Sequence, residues 1–126
     1  FSEGNIKING RYDLVYSGAQ VPEIRDFKTG DVKEQKEADR RIKSSTQMMI
    51  YALAWKNKFG DIPKTTLHFI ESGLKGEIIF KEADLDKTKL MIHEVEKGIR
   101  EKNLAATPEM FTCKYCPYRD ICVEAI

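Results

Sequence analysis

The chain has 126 residues, 33% of them charged, and a formal net charge of +1 at pH 7. That is enough for one domain of ordinary size and too little for a second core. Balanced charge excludes a surface-wide field for nucleic acid, so an anionic partner must be met by a local patch or a metal. No run of about 18 apolar residues is present to span a membrane.

The opening FSEGNIKING starts on Phe1 rather than Met and reads as the interior of a longer protein, with no visible signal peptide. Residues 5–9 alternate apolar and polar, as do residues 12–16. The two runs are expected to pair as a hairpin around Asn9-Gly10, a favoured two-residue turn. Residues 22–28 form a third strand candidate, closed by Thr29-Gly30. Residues 31–43 are almost all charged, with both signs. They read as a solvated loop or helix start, with phosphate contact by Lys33, Lys36, Arg40, Arg41 or Lys43 as the second reading. Residues 44–59 are helical in pattern, with Ser44, Ser45 or Thr46 as cap, Gly60 as stop, and Met48, Tyr51 or Ala52, Trp55 and Phe59 as a core stripe. Residues 65–70 and 77–81 read as two more strands joined around Gly73 and Gly76. A second helix over 84–103 follows, capped by Asp84, with Leu85, Thr88, Ile92, Val95 and Ile99 on one face. The order predicts an α/β domain with a mixed central sheet flanked by helices. The expected division is a core over residues 1–107 and a cysteine-bearing tail over 108–126.

The stretch IRDFKTG (24–30) places two charges inside a strand-like apolar run. Residues two apart in a strand share a face, so Asp26 and Lys28 project together and Phe27 points the other way, into packing. Asp13 is the odd charge beside Leu14, Val15 and Tyr16 in the neighbouring candidate strand. If those strands are adjacent, Asp13 and Asp26 converge. Two carboxylates and a carbonyl oxygen are hard ligands suited to Mg²⁺ or Mn²⁺. Lys28 beside such an ion can orient water or offset charge on a phosphoryl oxygen. The alternative is a surface salt bridge of D-x-K type. Gln47 and Tyr51, four apart, stack on one helix face. They form either a boundary of the core or a polar ledge beside the metal.

Taken together, GRYD (10–13), IRDFKTG (24–30) and QMMIY (47–51) resemble the PD-(D/E)xK nuclease superfamily, in particular its RecB-like branch of helicase–nucleases and CRISPR-associated relatives. The resemblance implies a restriction-endonuclease-like core, with Asp13 and Asp26 as metal ligands and the Phe27 carbonyl as a third oxygen. It implies Lys28 as the catalytic lysine and Gln47 and Tyr51 as the supporting helix motif. The family's upstream histidine-bearing helix has no counterpart here, so the chain reads as an N-terminally truncated domain. His68 and His93 read as a strand residue and a helix-surface residue.

Three cysteines lie within CKYCPYRDIC. An odd cluster is a poor disulfide framework and suits a metal site in a reducing, cytoplasmic compartment. The C-x2-C-P-x4-C spacing of Cys113, Cys116 and Cys122 resembles the tail motif that supplies three ligands of a [4Fe–4S] cluster in AddB-type nucleases, the fourth coming from far upstream; zinc is the alternative. The whole implies a Mg²⁺- or Mn²⁺-dependent deoxyribonuclease domain whose partners are DNA and a helicase, working in repair or recombination. The rival readings are an inert nuclease-fold DNA-binding or assembly module and a zinc-binding interaction domain.

Overall fold

The computed structural model describes all of residues 1–126. Its first turn departs from expectation. β1 (Ser2–Glu3) pairs antiparallel with β2 (Ile6–Lys7), around Gly4 and Asn5 rather than around Asn9-Gly10. Gly4 takes φ +57°, the left-handed conformation that glycine adopts without a Cβ clash. Ile8 still exchanges backbone hydrogen bonds with Phe1, at 2.9 and 3.0 Å, and residues 9–12 then belong to no strand.

Four strands make the main sheet, in the order β3-β4-β5-β6. β3 (Leu14–Tyr16) is antiparallel to β4 (Glu23–Lys28), β4 is parallel to β5 (Lys64–Phe69), and β5 is antiparallel to β6 (Lys75–Ile79). A parallel pair needs a long crossover, and here α1 (Gln35–Lys43) and α2 (Thr46–Phe59) supply it. The expectation of a mixed sheet flanked by helices is met.

The charged run resolves into α1 because its few apolar residues share one side. Ala38 and Ile42, one turn apart, are almost fully buried, as is Val32 ahead of the helix. α1 lies so close to β6 that a Cβ added at Gly76 would stand 2.3 Å from the Ala38 carbonyl oxygen. Gly76 is therefore part of a strand held against a helix, not a turn residue. α2 is started by Ser45, whose hydroxyl accepts the Met48 N–H at 3.3 Å, and is stopped at Gly60. Met48, Ala52, Leu53 and Trp55 are buried, whereas Phe59 is exposed, a correction to the expected stripe.

α3 runs over Glu82–Arg100. Asp84 lies inside it rather than at its cap, and its Oδ2 accepts the Lys81 N–H at 2.9 Å, the return bond of a capping box. Leu85, Thr88 and Ile92 are buried, while Val95 and Ile99 are exposed, again contrary to expectation. No helix is long and apolar enough to cross a membrane.

The chain divides into two units, Phe1–Glu94 and Val95–Ile126, so the division falls within α3. The first contains the sheet and its core of Ile24, Ile42, Leu53, Leu67, Phe69 and Leu85. The second contains the end of α3, the short α4 (Met110–Lys114) and a single 3-10 turn at Arg119–Ile121.

Candidate functional site

In β4, alternation sends Ile24, Asp26 and Lys28 to the face covered by α1 and α2, and Glu23, Arg25 and Phe27 to the opposite face. Asp26 is only 3% exposed. A carboxylate that deep needs partners. The Lys28 ammonium lies 2.6 Å from its Oδ2, and Gln47 Nε2 donates to its Oδ1 at 3.1 Å. Oδ2 is buried and, beyond that ion pair, receives no aligned hydrogen bond.

Gln47 joins the site because the first turn of α2 crosses this face of β4. Its Oε1 accepts from Lys28 Nζ at 2.7 Å, and its Nε2 also reaches the Tyr51 hydroxyl at 3.2 Å. Tyr51, one helical turn on, donates to the Arg11 carbonyl at 2.7 Å. Helix i,i+4 geometry thus turns two residues of α2 into a link between the strand charges and the segment leading to β3.

That segment carries Asp13. The β3–β4 register pairs Leu14 with Arg25, so one further step places Asp13 opposite Asp26. Asp13 is exposed, and its Oδ2 accepts the Phe27 N–H at 3.1 Å. Sequence reasoning named Asp13, Asp26, Lys28, Gln47 and Tyr51; the last four share one network, while Asp13 reaches β4 only through the Phe27 N–H. Arg11 enters through its backbone carbonyl, which no side-chain pattern announces. Tyr12 also was missed: its ring meets that of Tyr51 edge-on at 5.1 Å, and burial, then Tyr51, raises its pKa. GRYD contained it, but as spacing between Gly10 and Asp13.

Phe27 does point away from Asp26, yet it does not enter packing. It is partly exposed and lies beside His68, with ring centroids 5.5 Å apart. His68 is a β5 residue whose pKa is lowered, first by burial and then by the charges of Lys75 and Arg25. On the same face, burial works against the Glu23 carboxylate, but Thr66, Arg25 and Lys64 stabilise it and bring its pKa below the ordinary value. Lys64 lies 3.2 Å from Glu23 and 3.3 Å from Glu77; despite burial, these acids raise its pKa. His93 is an exposed α3 residue 3.4 Å from Glu3. Neither histidine belongs to the Asp26 network.

Of the basic residues proposed on the charged run, Arg41 alone flanks the site. Its guanidinium stands 5.7 Å over the ring of Phe69, the β5 partner of Lys28, and an added Cβ at Gly30 would lie 3.1 Å from its Nη1. Glu37, one turn earlier, holds it at 2.7 Å. Lys33, Lys36, Arg40 and Lys43 are exposed, as is Arg41 itself.

In the second unit, Cys113 on α4 is buried, Cys116 is partly buried and Cys122 is exposed; all three are free thiols. They are not gathered into a ligand set. No group of three or more His, Cys, Asp or Glu side chains is placed to hold an ion. At the Asp26 centre the hard oxygens are those of the buried Asp26 carboxylate and of exposed Asp13, which stands opposite it in the register. Hard oxygens, one of them buried and held only by the Lys28 ammonium, fit a small divalent cation that keeps several waters. Three separated sulfurs do not fit a cluster.

Against known proteins, the sequence matches the family model of the PD-(D/E)XK nuclease superfamily over residues 1–123. No curated protein matches the chain.

Proposed function

Since the chain belongs to the PD-(D/E)XK nuclease superfamily, we propose that it is a metal-dependent deoxyribonuclease domain working at the Asp26–Lys28 centre. The observation that carries this reading is the single network in which Lys28 contacts both Asp26 and Gln47, at 2.6 and 2.7 Å. A lysine held this way has its flexible stem fixed at the carboxylate.

Asp26 and Asp13, with the Phe27 carbonyl, would hold Mg²⁺ or Mn²⁺. When bound, such an ion supplies a nucleophilic hydroxide near neutral pH. The chain's own residues do the rest. Lys28 offsets the charge that builds on the phosphoryl oxygens of the transition state. Gln47 holds the Lys28 ammonium and the Asp26 carboxylate in register, and Tyr51 anchors Gln47 to the Arg11 carbonyl. The intact trio of Asp13, Asp26 and Lys28 favours chemistry over an inert DNA-binding or assembly module.

The ordered motifs support a place in the RecB-like branch, hence beside a helicase in DNA repair or recombination. Three free thiols suit a reducing, intracellular compartment. The cysteine spacing alone supports an iron–sulfur cluster, or zinc, and the placement of the sulfurs contributes no step to the reaction. Iron with sulfide in anaerobically purified protein would favour the cluster; zinc alone would remove it.

The test of the activity is cleavage of DNA with Mn²⁺ by the wild type, Asp26→Ala and Lys28→Ala. Cleavage confined to the wild type supports the assignment. Equal behaviour of all three rejects it.

A further inference from the structure

One cation beside the centre takes no part in the network above. Arg41 lies in the last turn of α1, and a single oxygen of Glu37, one turn earlier, accepts from its Nε at 3.1 Å and from its Nη2 at 2.7 Å. The face of the guanidinium covers the ring of Phe69, which is almost fully buried. The third nitrogen, Nη1, donates to no protein acceptor and lies against Gly30, 3.1 Å from where a Cβ there would stand. A solvated i,i+4 ion pair accounts for Glu37 alone and contributes little. It does not account for a guanidinium fixed on two sides with its third edge open.

These anchors all lie close to Lys28. Phe69 is its partner in the β4–β5 register, and the Ile70 N–H donates to its carbonyl at 3.0 Å. Gly30 follows it by two residues, at most about 7 Å of chain. β4 and β5 run parallel and both end here, so Arg41 stands at the carboxyl ends of the pair, where open α/β sheets take their ligands.

We propose that Arg41 contacts the substrate, its Nη1 edge taking the DNA phosphate next to the one cut at Lys28, an inference that rests on the nuclease reading above. The chemistry of that edge selects an oxyanion. A guanidinium is always charged, carries only donors and meets a phosphate as a fork. The position also demands a full cation. A helix C-terminus carries a partial negative charge that repels an anion. α1 has Arg40, Arg41 and Lys43 in its last turn, and they reverse that sign. Glu37 fixes the guanidinium before DNA arrives, so little side-chain freedom is lost on contact. Gly30 keeps the approach open, because a side chain there would meet Nη1 first. The DNA backbone then leaves the centre over Gly30 and the end of α1.

The experiment measures binding before cleavage. Anisotropy of a labelled duplex with a single-stranded extension is followed against salt, in EDTA, for the wild type, Arg41→Gln, Arg41→Lys, Gly30→Ala and Arg40→Gln. Thermal melting reports whether each variant is folded. Arg41→Gln should weaken binding about tenfold and lower the salt slope by about one. Arg41→Lys should keep the slope and recover only part of the affinity, because an ammonium has no fork. Gly30→Ala displaces the guanidinium and leaves its charge; it too should weaken binding. Arg40→Gln makes the same charge change at the neighbouring exposed residue and should alter neither quantity. With Mn²⁺, Arg41→Gln should raise KM, whereas Lys28→Ala lowers kcat. Unchanged affinity in folded Arg41→Gln, or in folded Gly30→Ala, overturns the proposal. So does an Arg40→Gln that matches Arg41→Gln, since net charge alone would then explain the loss. If Arg41→Gln does not fold, Gly30→Ala decides the matter. The two readings fail separately: cleavage indifferent to Asp26 and Lys28, with the Arg41 effects on binding intact, removes the nuclease assignment alone.

Discussion

Lys28 and Gln47, nineteen residues apart, meet at 2.7 Å, with the ammonium donating to the amide oxygen. The other end of the same amide donates to Asp26 at 3.1 Å. One side chain of α2 therefore fixes both members of the strand's charge pair. Gln47→Ala should keep the fold and lower cleavage about 10–100-fold, the range typical of residues that orient the groups around a metal. Tyr51→Phe, which removes the anchor on Arg11 but not the amide, should cost less. Steady-state kinetics alongside thermal melting checks both; equal rates in all three proteins would remove Gln47 from its positioning role.

The approach of α1 to β6 makes a sharper structural prediction. Gly76→Ala puts a methyl 2.3 Å from the Ala38 carbonyl, which is backbone and cannot swing aside. The cost should be about 1–3 kcal/mol, read as a lowered urea midpoint at unchanged m-value. Gly98→Ala, where an added Cβ meets nothing within 4 Å, is the control and should not destabilise.

Much of this was legible in the chain. β4 showed itself because Ile24, Asp26 and Lys28 recur every second residue, and α2 because Ser45 and Gly60 bracket it. Two features hid. Asn9-Gly10 is a strong hairpin signal, but β3 finds a six-residue partner in β4, and Gly10 instead lies against Tyr51, 3.6 Å from where a Cβ would sit to the ring. Ile6 and Lys7 are taken by β1 and Leu14–Tyr16 by β4, so neither flank of Asn9-Gly10 is left to pair across it. α1 was masked by its charges, since Ala38 and Ile42 are too few to raise a clear period yet enough to bury one face. The helix stripes were read too long: Phe59, Val95 and Ile99 continue the spacing past the core that Trp55 and Ile92 reach. The Arg11 carbonyl could not have been found, because a backbone acceptor leaves no mark on residue type.

Two groups on the opposite face of the sheet set the pH response. The His68 pKa is lowered from 6.5, so the unfolded chain takes up a proton before the folded one does. Stability is complete above pH 6.5 and falls as pH drops below it. The Glu23 pKa is lowered from 4.5, so its contribution is present above pH 4.5 and is lost as pH falls further. Melting curves should therefore show a decline as pH falls below 6.5 that His68→Gln flattens, and a second decline below pH 4.5 that Glu23→Gln flattens. Curves for variants running parallel to the wild type would contradict both assignments.

The central claim is that Asp13 and Asp26 serve one divalent ion beside Lys28. Mn²⁺ titration followed by electron paramagnetic resonance tests it without relying on turnover. Asp13→Asn and Asp26→Asn should each weaken Mn²⁺ binding about tenfold or more, and the double variant should lose less than the sum, because both changes empty the same site. Lys28→Ala should bind Mn²⁺ at least as tightly as the wild type, since it removes the cation that stands 2.6 Å from Asp26. Mn²⁺ affinity indifferent to Asp13 and Asp26, or abolished by loss of Lys28, would contradict the account.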